Sequence, residues 1–145
     1  MDVAAYLVLP AGYDRLVSEL RMVLPHGAPA APVRQRVGDA LRKWGVPQCA
    51  ADVLLVCTEL VQNVTQHTAG DGELRLLLGA DSILVEVSDS SPSLPSLSDV
   101  DLRRVGGRGL RIVAAIAVAW GSRSATWDGH FGKVVWAEFA LAPVV

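Results

Sequence analysis

Glu59 and Asn63 stand four residues apart in Glu59-Leu60-Val61-Gln62-Asn63, late in an apolar stretch of helical period. Positions four apart share one face of a helix, so an acid that can take a proton sits beside an amide oxygen that can ligate a hard cation. The pair suits a magnesium–nucleotide pocket in which a hydroxyl or a water is activated. Alone it carries little weight, because Glu and Asn exposed on a helix are more often simply solvated. Three other segments bear on it. Val85-Glu86-Val87-Ser88-Asp89 is an apolar strand ending in an aspartate, which can accept a hydrogen bond from an exocyclic amine such as that of adenine. An isolated aspartate there more often caps a turn. Gly106-Gly107-Arg108-Gly109-Leu110 carries glycines straight into a helix, where backbone N–H groups approach an anion closely. Gly132-Lys133-Val134-Val135 opens the last apolar strand.

The elements that must position these residues are legible as periods. Val33, Val37, Ala40, Leu41 and Trp44 mark one apolar helical face, which Gly45 and Pro47 terminate. A second helix is expected from about Gln48 to Thr68, with Val53, Cys57, Leu60, Val61 and Val64 on one side. Asp52, Val56, Glu59, Asn63 and His67 form a stripe about 80° round from that face. Gly70 is its natural terminator. After Gly72 the period becomes that of a strand. Leu74, Leu76 and Leu78 alternate with Glu73, Arg75 and Leu77, a turn follows at Gly79-Ala80-Asp81-Ser82, and Ile83, Val85 and Val87 complete a hairpin.

Ser90 to Gly107 reads as a long loop, of a length more often functional than idle. A third helix is expected over about Gly109 to Val118. Two strands follow, Trp120 to Trp127 and Lys133 to Leu141, joined by Asp128-Gly129-His130-Phe131-Gly132. Near the beginning, Tyr6-Leu7-Val8-Leu9 and Arg21-Met22-Val23-Leu24 can each form a strand, and Pro25 to Pro32 is a connector. The fold class expected is α+β, a two-layer sandwich of a mostly antiparallel sheet covered on one face by helices. Residues 1–24 are expected to be an extension of unassigned role, possible first strand included, and residues 25–145 the domain.

Composition narrows the function. A chain of 145 residues, 51% apolar and 19% charged, can build one domain with a proper core. A net charge of −2 with no run of Lys or Arg argues against direct nucleic-acid binding. No apolar run approaches a membrane span, and the first residues lack the pattern of a signal peptide, so a cytoplasmic location is expected. Cys49 and Cys57 would lie roughly 12 Å apart on one helix, too far for a disulfide. The three histidines are scattered, and no zinc-ligand spacing is present. Neither a Gly-x-Gly-x-x-Gly fingerprint nor a Gly-x-x-x-x-Gly-Lys-Ser/Thr loop occurs, so a nucleotide would have to bind in another fold.

Taken in order, the segments resemble the boxes of the GHKL ATPases, and among them those of the actinobacterial anti-sigma-factor serine kinases. The resemblance covers about Pro32 to Leu141. Glu59 to His67 stands at the N box, and Val87-Ser88-Asp89-Ser90-Ser91-Pro92 stands at the first glycine box. Gly107 to Val113 matches the second, and Gly132 to Glu138 the third. The resemblance implies a Bergerat-type ATP pocket between helices and sheet. In it Asn63 ligates Mg2+, Glu59 is the general base for a substrate serine, and Asp89 reads the adenine amine. Gly107 and Gly109 let a lid close on the phosphates, and Arg108, or Arg103 and Arg104, neutralise their charge. For the arginines, solvated lid charges are an equal reading. For His67, complementing the helix C-terminus is the preferred one.

It further implies a homodimer that binds a sigma factor and phosphorylates a serine of an anti-anti-sigma protein. The chain also departs from the pattern. Asp89 is followed by Ser90, Ser91, Pro92 and Ser93 where the superfamily usually has Asp-x-Gly-x-Gly, so both glycines are lost, and Val134 or Val135 stands where a threonine often supports the adenine contact. These departures favour an alternative, a binding-only module of the same fold with weak nucleotide binding or none. The ATP-binding half of a histidine kinase fits less well, because Pro32 to Trp44 contains no histidine.

Overall fold

The computed structural model describes residues 16–25, 27–67, 72–89, 105–127 and 130–141, with side chains outside the description at 64–67, 105–110, 125–127 and 130–131. The elements run β1 (Ser18–Leu24), α1 (Ala30–Lys43), a 3-10 turn (Pro47–Cys49), α2 (Ala50–His67), β2 (Gly72–Leu78), β3 (Ser82–Asp89), α3 (Val105–Ile116), β4 (Ala119–Trp127) and β5 (His130–Ala140). The five strands form one antiparallel sheet in the order β1-β2-β3-β5-β4. The α+β architecture expected from the periods is the one observed. Arg21-Met22-Val23-Leu24 is part of the edge strand β1, whereas Tyr6 to Leu9 and Gly70 lie outside the described residues.

Register decides which side chains meet the helices. Leu74, Leu76, Leu78, Ile83, Val85, Val87, Val135, Ala137 and Phe139 share one face and pack into a single core with Val33, Val37, Leu41, Val53, Val56, Cys57, Leu60 and Val61. Leu20, Met22 and Leu24 extend that face onto β1, with Leu20 only partly buried. α2 lies at the centre of the layer, touching α1, α3, β2, β3 and β5.

α1 stops where the sequence stops it. Gly45 takes a φ of +73°, the left-handed region, while its N–H donates to the Arg42 carbonyl at 3.0 Å. The Val46 N–H reaches back to the Leu41 carbonyl at 3.0 Å, and both side chains are buried. These paired bonds and that apolar contact are a Schellman motif. The chain then makes a 3-10 turn through Cys49 before α2, so the two cysteines do not share one α-helix. Both are free and buried. Burial pushes the Cys57 thiol up to about 12, which leaves it an inert core residue.

Three boundaries differ from expectation. α3 begins at Val105 rather than at Gly109, because glycines in a first turn have N–H groups that need no helical partner. It ends at Ile116 because the Val118 N–H donates to the Glu138 carbonyl of β5 at 2.9 Å, drawing the chain onto the sheet. β5 begins at His130, since the ladder continues to Trp127 opposite His130 and leaves only Asp128-Gly129 between the strands.

The other sheet face is unusual. One-sided antiparallel sheets commonly leave their outer face wet, yet Leu77 and Leu84 are fully buried there and pack with Trp136. A ladder of charges crosses the same face. Glu19 on β1 bonds Arg75 Nε at 2.5 Å, and Arg75 Nη1 lies 3.6 Å from Glu86 on β3. Arg123 on β4 bonds the other oxygen of Glu86. Glu86, at 1% side-chain exposure, is the dry centre of the ladder.

Two substitutions test these devices by denaturant unfolding. Gly45→Ala should lose about 1 kcal/mol from left-handed strain alone, since a Cβ there meets nothing within 4 Å. Glu86→Ala, which takes from Arg75 and Arg123 the buried carboxylate that they share, should lose about 3 kcal/mol.

Candidate functional site

α2 brings the first two residues together. Its core face, Val53, Val56, Cys57, Leu60 and Val61, is dry, and this fixes the rotation of the helix about its axis. Glu59 then lies half-buried on the flank, and Asn63, one turn on, is 3% exposed. The stripe foreseen beside the core is therefore mixed: Asp52 is exposed, Val56 belongs to the core, and the His67 side chain lies outside the described residues. Among the described residues, the buried Asn63 amide nitrogen has no hydrogen-bond partner. A buried amide left unpaired costs about 1–3 kcal/mol, so its position is not explained by the needs of the fold. Turning the amide presents either its oxygen or its nitrogen to the same place.

The sheet supplies the third residue. Asp89 is the last residue of β3 and 2% exposed. Alternation from Val85 and Val87 puts it on the helical face, the side on which α2 packs. Across the ladder it stands opposite Lys133 of β5 and Gly72 of β2. Lys133 was read from the sequence only as part of a glycine box, and its place beside Asp89 emerges from the strand register. Of the two valines considered for the threonine position, only Val135 shares this face; Val134 points to the other.

α3 supplies the fourth part. Gly107 and Gly109 lie in its first turns, with Gly107 among the residues whose N–H groups have no helical acceptor. α3 packs against α2, which brings this N-terminal half and the Asn63 helix into one layer. The Arg108 side chain, and Arg103, Arg104 and residues 90–104 as a whole, lie outside the described residues.

Magnesium commonly keeps several waters and takes one or two protein oxygens together with substrate phosphates. A single amide at Asn63 fits that requirement, and among the described residues no three His, Cys, Asp or Glu side chains group as a metal cage. The buried carboxylate of Asp89 fits an amine-bearing base, and the glycines of α3 fit an anion at a helix start.

A family model described as a histidine kinase-like ATPase domain matches residues 27–137. The chain belongs to that family. The five-stranded antiparallel sheet with its helical layer is consistent with the fold, and an ATPase domain of this family implies a nucleotide as its ligand. The match begins after β1, so the edge strand lies outside the matched ATPase domain although it is hydrogen-bonded to it. No curated protein matches the chain. Among the described residues no helix is long and apolar enough to cross a membrane.

Asn63→Leu separates site from fold. Removing the orphaned amide should raise stability by about 1 kcal/mol in thermal or denaturant unfolding. The same change should weaken Mg-ATP binding at least roughly tenfold by calorimetry, the loss of one good polar contact.

Proposed function

We propose that this ATPase domain is a partner-switching regulator: it binds a sigma factor and, using Mg-ATP, phosphorylates a serine of an anti-anti-sigma protein. The observation that carries the reading is the Glu59–Asn63 pair, a half-buried acid one helical turn from a buried amide that the fold leaves unpaired. The ordered boxes around it support the anti-sigma kinase group within the wider family. Bound Mg-ATP supplies the phosphoryl group, and its metal neutralises the charge that builds up during transfer. Asn63 would hold the cation, its amide turned to offer the oxygen. Asp89 accepts a hydrogen bond from the adenine amine, and Gly107 and Gly109 let backbone N–H groups approach the phosphates. Glu59 takes the proton from the serine hydroxyl as its oxygen attacks the γ-phosphorus, and ADP leaves. Phosphorylated, the antagonist releases the domain, which returns to the sigma factor.

A second reading is favoured by a specific observation. Ser91 and Ser93 stand where the family pattern has two pliable glycines after Asp89, and Val135, on the same face as Asp89, has the shape of threonine without its hydroxyl. Both features weaken the nucleotide's hold, and a domain that had lost it would act by sequestering its partner alone.

The two readings part in one experiment. Mg-ATP titration by calorimetry should give saturable heat, and Glu59→Ala should keep that binding while slowing phosphoryl transfer to the antagonist's serine by about 10²–10⁴-fold. Absence of heat at high ATP selects the sequestering module. Undiminished transfer by the variant removes Glu59 from the chemistry.

A further inference from the structure

The residue directly across the ladder from Asp89 is Lys133. Residues opposed in an antiparallel pair project from one face, with Cβ atoms about 5 Å apart. Here that face is the helical one, since Val87 and Val135, the next pair along it, belong to the core under α2. On its other flank Asp89 stands opposite Gly72, which has no side chain, and beyond Lys133 comes Ser124 of the edge strand β4. Lys133 is therefore the one side chain directly beside Asp89 in its row. The aspartate is 2% exposed and the lysine half-buried. Both already interact within the chain, yet an ammonium with three donors and a carboxylate with two oxygens keep capacity for a ligand. The row also lies at the end of the sheet to which α2 runs. Four residues, 68–71, separate His67 from Gly72, and five Cα steps span at most about 19 Å. The Glu59–Asn63 half of α2 and the Asp89–Lys133 pair thus belong to one end of the layer.

We propose that Lys133 is a second base-reading residue of the pocket, its ammonium donating a hydrogen bond to the ring nitrogen N1 of an adenine whose amine is held by Asp89. The inference rests on the reading of Asp89 given above and deepens it. The edge of adenine carries a donor, the exocyclic amine, beside an acceptor, N1. A carboxylate beside an ammonium is the complement of that edge, and both contacts are charge-assisted, the stronger class of hydrogen bond. The two valines cannot do this. Val134, opposite Ser88, points to the other face and is fully buried there, and Val135 has no donor. The base is nonetheless not left to Asp89 alone, because the donor comes from the residue in register with it. A lysine that only paired with Asp89 across the strands would steady the carboxylate but would be indifferent to which atom stands at position 1 of the base.

The test is calorimetric titration of the full-length chain with Mg-ATP and with Mg-1-deaza-ATP, in which a C–H group replaces N1 and the amine is kept. The unaltered protein should bind ATP at least roughly tenfold more tightly than the deaza nucleotide, the loss of one charge-assisted bond. In Lys133→Met, which keeps most of the stem and loses the donors, that preference should fall to under about threefold. Lys133→Arg, which keeps a donor, should retain it. Equal affinity of the unaltered protein for the two nucleotides, or an undiminished preference in Lys133→Met, overturns the assignment of Lys133 while leaving ATP binding in place. No heat with ATP itself overturns both this assignment and the nucleotide reading on which it rests.

Discussion

The contact between α2 and the sheet is the constraint on which the site rests. Val53, Val56, Cys57, Leu60 and Val61 are all dry. Each fully buried aliphatic side chain is worth about 1.5–3 kcal/mol, so together they outweigh by several-fold the cost of an unpaired amide at Asn63. The helix cannot turn to rescue Asn63 without lifting Leu60 and Val61 out of the core. A rigid cylinder held on one side thus holds a polar group where the fold alone gives it no partner.

The sheet meets the same layer from the other side. Asp89, Lys133 and Val135 face the helices because Val85, Val87, Ala137 and Phe139 do, and a slip of one residue in the β3–β5 register would send all of them to the opposite face. The register is held on the outer side too. Glu86 bridges Arg75 on β2 and Arg123 on β4 across the strands that carry Asp89 and Lys133. The charged ladder and the helix-facing row are therefore two sides of one alignment. Buried ion pairs contribute little net stability, but an out-of-register arrangement that leaves one unpaired is heavily disfavoured.

The periods of the sequence carried most of the architecture. Alternation in Leu74 to Leu78 and Ile83 to Val87 gave the hairpin and its inward face, and the spacing from Val53 to Val61 gave the buried side of α2. Boundaries were less legible where two rules compete. The glycines before Leu110 read as a turn, but a helix tolerates them in its first turn. Asp128-Gly129 is a strong hairpin signal, yet the glycine at position 132 suggested a longer connection. Glu59, Asn63 and Asp89 could be singled out by type and spacing. Lys133 could not, since its nearness to Asp89 is created by pairing between strands far apart in the chain. The charged ladder was hidden for the same reason: Arg75 and Glu86 alternate with apolar residues as ordinary solvent-facing positions would.

The strand order has a consequence for how the molecule comes to be folded. The Glu19–Arg75 ion pair joins residues 56 positions apart, and both major helices lie in the intervening stretch. β1 is made first but has no neighbour until β2 exists, and closing so long a loop is entropically unfavourable until the helices and the β2–β3 hairpin have condensed. The edge of the sheet nearest the chain's beginning is thus among the last parts to assemble. During synthesis it stays single-stranded and open to wrong pairing for longer than any other strand.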